Sequence, residues 1–159
     1  MITFTQGKTT FIYRAAAVAL SEGQVLLHRS ERDDFWSLPG GRVEFGEPAE
    51  LAIRRELREE LGVETRTERL LWVVEQFFEI EDERYHELGL YFLISLPPSL
   101  APTRMPVPCY GDEAGLRLSF RWFMLETLPG LPIKPAFLKT RLSSLPKSTA
   151  HLVMGAPGV

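Results

Sequence analysis

Cysteine is almost absent: Cys109 is the only one in 159 residues. A single thiol excludes an intrachain disulfide and any zinc site built on several cysteines. It also makes the cytoplasm the expected compartment. No stretch approaches the roughly 18 consecutive apolar residues of a membrane-spanning helix, and Met1 to Thr10 holds no apolar run of signal-peptide type. Excess charge of one sign is missing too. Lys plus Arg is 18 against 21 for Asp plus Glu, a formal net charge of −3. That balance excludes a basic nucleic-acid coat and a polyacidic tail. No internal repeat is found. What is present is globular in proportion, with 45% hydrophobic and 25% charged residues. The length fits one domain over residues 1–159, with its core expected over about 8–145.

Phe11–Leu20 is apolar and Ala-rich, Ser21-Glu22-Gly23-Gln24 reads as a turn, and Val25–His28 resumes as a strand, which makes a hairpin. Ser30–Asp34 is a charged loop, Pro39-Gly40-Gly41 is expected to break regular structure, and Arg42–Phe45 suits one short strand. Arg69–Phe78 and Glu87–Ser95 are long strand candidates. Arg117–Trp122 alternates strictly, with Leu118, Phe120 and Trp122 on the apolar face of a half-buried strand. Five prolines fall within residues 97–108, so 97–114 is read as a surface loop. Pro135–Leu142 suits a second helix, and 146–159 is read as a loose tail. Strands around a central helix, with one late helix, predict a mixed α/β sandwich.

The central helix is predicted over Ala49–Leu61, opened by Pro48 and closed by Gly62. At about 100° per residue, Ala49, Ala52, Ile53, Glu59 and Glu60 all fall within roughly 60° of Glu56. The packing face thus continues into three carboxylates. The opposite face already has Glu50 and Arg54 at the favourable i, i+4 spacing. Carboxylates about 6 Å apart repel by about 3 kcal/mol per pair at an effective dielectric of 20, and a cation removes that cost. Oxygen-only ligands favour Mg²⁺ or Mn²⁺, and Mg²⁺ commonly joins one or two carboxylates to phosphate oxygens. The residues therefore point to a divalent-metal site for a phosphate substrate. Gly40-Gly41 allows close backbone approach, Glu44 is placed to point toward the same site, and Glu47 can brace the loop by pairing with Arg55.

Gly41, Glu47 and the run Arg55-Glu56-Leu57-Arg58-Glu59-Glu60-Leu61-Gly62-Val63 match the fixed positions of the Nudix box. Val25-Leu26-Leu27-His28-Arg29, Trp36-Ser37-Leu38-Pro39-Gly40-Gly41 and Arg121-Trp122-Phe123 resemble the family's flanks. The chain thus resembles the Nudix hydrolases, of the MutT-like kind. The resemblance implies an α/β/α sandwich with a mixed sheet and a catalytic loop-helix-loop. It implies Mg²⁺- or Mn²⁺-dependent hydrolysis of a nucleoside diphosphate linked to another group X. Carried over, Glu56, Glu59 and Glu60 would be metal ligands, Glu44 an auxiliary one, and Arg55 would orient the helix. The general base would be Glu59, or a later acid, Asp112 or Glu113.

For the substrate, Arg29, Gly40 and Gly41 are phosphate-side candidates, Glu87 beside His86 faces phosphates or metal, and Trp36 is a stacking candidate set against a packing role. Nucleoside triphosphates are the favoured substrates. ADP-ribose or an NDP-sugar is the alternative, and a non-catalytic nucleotide-binding module is a third reading. The partner is a small nucleotide, with no membrane. Dimerising relatives leave a homodimer open.

Overall fold

The computed structural model describes residues 1–155. Its strands are β1 (Thr3–Gln6), β2 (Thr9–Ser21), β3 (Gln24–Ser30), β4 (Gly40–Arg42), β5 (Arg66–Ile80), β6 (Glu83–Ser95), β7 (Cys109–Glu113), β8 (Leu116–Met124) and β9 (Ala150–Met154). Two helices join them, α1 (Ala49–Leu61) and the short α2 (Leu138–Arg141). The strand order is β7-β8-β3-β2-β6-β5-β9, with β1 and β4 also paired to β2. The sheet is mixed, since β2–β6 and β5–β9 are parallel and the other pairs antiparallel.

Alternation along the central strands sends side chains to two cores. On β2, Ala15, Ala17 and Ala19 join Ile53 and Leu57 of α1 under one face. Ala16 and Val18 face the other way, toward Trp72, Leu128 and Leu138 of α2. Small residues on β2 let both layers approach the sheet, which gives an α/β/α sandwich.

One strand makes the site possible. β2 pairs with β3 only at Leu20↔Val25 and Ser21↔Gln24. Further back it pairs with β4, from Arg14↔Arg42 to Ala16↔Gly40. Between these stretches β3 parts from β2 and continues with β8 over seven residue pairs. A seam opens there, with α1 across it.

Several expectations change. Gly40 and Gly41 do not break regular structure but form β4. Pro48 is the extended residue before α1, not its first helical one. Arg54 meets Glu64 at 3.6 Å, not Glu50. The stretch 97–114 is not all loop. Leu100 and Met105 are buried, and Cys109–Glu113 pairs with β8 through a two-residue turn with φ of +50° at Ala114 and +82° at Gly115. That turn suits the twist of a hairpin. The tail is not loose over 150–154, which lie parallel to β5 from Trp72↔Ala150 to Gln76↔Met154. Its last residues, 156–159, lie outside the described residues. The late helix is shorter than expected, with Leu138 and Leu142 as its buried contacts.

Candidate active site

Pro48 ends the preceding extended backbone, and Gly62, at φ +67°, closes α1 with its N–H on the Arg58 carbonyl at 2.9 Å. The left-handed conformation is why glycine suits that position. The buried residues of the helix are Ala49, Ala52, Ile53, Leu57 and Glu60. Leu57 draws this face about 35° away from Glu56. Glu60 therefore points inward at 5% exposure, Glu56 is half-buried, and Glu59 is turned about 95° off the face and stands exposed.

Arg55 ties this helix to the loop before it. Its Nε and Nη2 donate to the two Glu47 oxygens at 2.8 and 3.0 Å. Nη1 donates to Glu56 at 2.7 Å and Nη2 to the Arg42 carbonyl at 3.2 Å. Glu59 lies 3.4 Å from the same Nη1. The bidentate pair is geometrically specific, and it holds the Glu47 carboxyl below the usual carboxylate range.

One oxygen each from Glu56, Glu60 and Glu113 lies within 4.8 Å of the others. Burial pushes the Glu60 carboxyl up to about 8, and the Glu113 and Glu56 charges add to the rise. Glu56 is raised by burial against the pull of Arg55. Neither Glu60 oxygen has a hydrogen-bond partner. His28 Nδ1 lies 3.8 Å from Glu60, beyond hydrogen-bond reach. Burial, aided by Arg14, lowers His28 to about 3, so the ring is neutral and forms no ion pair.

Position 41 shapes the cluster. A Cβ there would stand 2.3 Å from the Glu56 carboxylate, so only glycine leaves that group its place. Three converging carboxylates, two orphaned oxygens and a cradle cleared by glycine fit a divalent cation. The oxygen-only donor set suits Mg²⁺ or Mn²⁺.

The cluster opens into a cavity of about 600 Å³, within the usual range for small-molecule sites. His28, Gly40 and Glu113 line its carboxylate end. Gln76, Phe78, Glu87 and Tyr91 line the sheet side, and Phe35 and Phe137 face them from connecting segments. Arg14 also lines it and donates to the Gly40 carbonyl at 3.3 Å.

The structure thus brings Glu56, Glu60, Glu113, Gly40 and Gly41 together, and Glu87 lines the same cavity as Gly40 and Glu113. Glu59 borders the cluster from the solvent side. Glu44 is apart from it, and its carboxylate takes the Met1 amine. Arg29 is exposed, with its guanidinium 4.8 Å from the centre of the Trp36 ring. Trp36 is 7% exposed and packs edge-on to Phe123. Neither Arg29 nor Trp36 lines the cavity among the described residues. Trp36 is therefore a packing residue, not a stacking platform. Arg14 and Lys134 also line the cavity and belong to no motif of the sequence. A lone Arg inside the apolar run Phe11–Leu20 was the available signal for the first.

A family model described as NUDIX domain matches residues 11–141. YjhB of Bacillus subtilis (strain 168), provisionally named an ADP-ribose pyrophosphatase, is 47% identical over 55 residues, 34% of this chain and 26% of that protein. An RNA pyrophosphohydrolase of Haemophilus ducreyi (strain 35000HP / ATCC 700724) is 30% identical over 105 residues, 65% of this chain and 43% of that one. The chain therefore spans less than half the length of these curated relatives. The crystal structure of a MutT NUDIX hydrolase from Burkholderia pseudomallei superposes with a TM-score of 0.58 at 28% identity, covering 79% of this chain and 92% of that one.

Proposed function

The chain belongs to the NUDIX family, and from that membership we propose that it is a Mg²⁺- or Mn²⁺-dependent pyrophosphohydrolase acting on a nucleoside diphosphate linked to X. Nucleoside triphosphates are its favoured substrates. The observation that supports this most is the Glu56, Glu60 and Glu113 cluster, with both Glu60 oxygens unpartnered.

Glu56, Glu60 and Glu113 would hold the metal, which when bound neutralises phosphate oxygens and acidifies the attacking water. Arg55 fixes Glu56 through its 2.7 Å bond and is itself fixed by Glu47. Arg14, anchored on the Gly40 carbonyl, presents its remaining guanidinium donors to phosphate oxygens. Glu59 is exposed beside the cluster and takes the proton of the attacking water. The water oxygen bonds to one phosphorus, the bridging P–O bond breaks, and the leaving phosphate keeps the electron pair. The name of YjhB favours ADP-ribose as a second substrate reading.

The test is turnover with Mg²⁺ of a panel containing nucleoside triphosphates, ADP-ribose, NDP-sugars and dinucleoside polyphosphates. Glu56→Gln and Glu60→Gln should each lose about 10²–10³-fold in kcat, and weaken Mn²⁺ binding measured by calorimetry. No turnover of any member overturns the hydrolase reading. Full activity in both variants overturns the metal assignment.

A further inference from the structure

Resting on that reading of the cavity, we propose that Glu87 and Gln76 read the Watson–Crick edge of a guanine base, which makes guanine nucleotides the preferred substrates. The two residues are direct partners across β6 and β5. Paired positions place both side chains on one face, with Cβ atoms about 4.5–5.5 Å apart, and both line the cavity.

The surroundings suit a flat ring. The next pair on that face is Phe78↔Tyr85, stacked at 5.1 Å and 8°. On the other side comes Val74↔Gly89. A Cβ at Gly89 would stand 2.8 Å from the Tyr91 ring, so glycine lets that ring lie flat over the strand beside Glu87 and leaves the space above it to the cavity. Phe35 and Phe137 close the cavity opposite the sheet, and Phe137 meets Tyr91 edge-on at 5.5 Å. Apolar walls of this kind accept a planar heterocycle and leave its edge to be recognised by few polar groups.

Those polar groups are free. Among the described residues, no hydrogen bond reaches the half-buried Glu87 carboxylate, and Gln76 Oε1 is buried without a partner. Unmade bonds at buried acceptors are costly, and a ligand that completes them gains accordingly. A carboxylate offers two parallel acceptors. Guanine presents two adjacent donors, N1–H and the 2-amino group, whereas adenine presents a donor beside an acceptor. Glu87 takes N1–H and one amino hydrogen, and Gln76 Oε1 takes the other. The phosphates then extend toward Arg14 and the carboxylate cluster at the far end.

Equilibrium binding of GDP, IDP and ADP tests this without any turnover. IDP differs from GDP only in lacking the 2-amino group. The wild-type chain should bind GDP about 10- to 100-fold more tightly than IDP or ADP. Glu87→Gln should reduce that preference to about twofold while retaining ADP binding, which shows that the variant is folded. Gln76→Leu should lower it by a smaller factor. Equal binding of GDP and IDP by the wild type overturns the proposal, as does an undiminished preference in Glu87→Gln. Hydrolysis without any base preference overturns this inference and leaves the hydrolase reading standing. A guanine preference that Glu87→Gln abolishes supports it, even if no substrate is turned over.

Discussion

At position 41 one methyl group separates two outcomes. A Cβ there would meet the end of the Glu56 side chain, at 2.3 Å. A side-chain carboxylate can swing aside at small cost, so Gly41→Ala should leave unfolding free energy within about 1 kcal/mol of the parent. The displaced carboxylate no longer faces Glu60 and Glu113. Mn²⁺ affinity should fall about 10- to 100-fold, read by calorimetry on the folded variant, and an unchanged affinity would separate Glu56 from the metal. Gly40 behaves differently. Its φ is +144°, and a Cβ would stand 2.2 Å from the Ala15 carbonyl oxygen. There the backbone itself must move. The Gly-Gly pair was readable in the sequence as a place of close approach. Which neighbour each glycine admits depends on chain segments distant in sequence, and local pattern does not carry that.

At the scale of elements, the site is a helix and a strand held in contact. Glu113 reaches Glu60 because β7 runs close past the end of α1. A Cβ at Gly111 would lie 2.4 Å from the Glu60 carbonyl oxygen and 2.9 Å from the Phe120 ring. Gly111→Ala should therefore push β7 away from the helix. Overpacking of this kind costs about 1–3 kcal/mol, seen as a lower urea midpoint, and Glu113 should leave the cluster, seen as weaker Mn²⁺ binding. Retained stability and affinity together would show that the two elements are not so tightly apposed. The helix was legible to the residue because Pro48 and Gly62 bound it and its apolar spacing is regular. β7 was not. Cys109-Tyr110-Gly111-Asp112-Glu113 has no apolar alternation, and it is a strand because β8 supplies its ladder. β9 escaped for the same reason: five residues at a sheet edge owe their conformation to β5. In the sequence Glu113 is a candidate acid by its chemical type alone; its approach to Glu60 comes from the pairing of β7 with β8. Helical spacing alone sets Glu59 beside Glu56 on the inward face, but the burial of Leu57 rotates the helix and leaves Glu59 exposed.

Across the whole molecule, the site leaves a mark on stability. Glu60 is raised by burial from 4.5 to about 8, so the folded protein holds a proton that the unfolded chain releases. That contribution is complete below about pH 4.5 and is lost as pH rises toward 8. His28 is lowered from 6.5 to about 3, so its contribution is present above 6.5 and lost as pH falls. The two windows overlap below 6.5 with opposite sign, and above it Glu60 acts without His28. In EDTA, urea unfolding should show stability falling between pH 6.5 and 8, and Glu60→Gln should flatten that slope. A saturating divalent ion should reverse it, adding about 2.7 kcal/mol at one hundred times its Kd. An identical slope in Glu60→Gln would place the titrating group elsewhere.

The seam beside β2 has a further consequence. The carboxylates are pinned to α1 and β7, whereas the cavity's roof comes from two irregular connections, around Phe35 and from Lys134 to Phe137. Connections of this kind tolerate insertion and exchange far better than a packed helix does. This roof can therefore be altered without disturbing either the carboxylates on α1 and β7 or the Glu87 and Gln76 pair on the sheet beneath it. The cavity thus draws its floor from packed helix and strand and its cover from irregular connections.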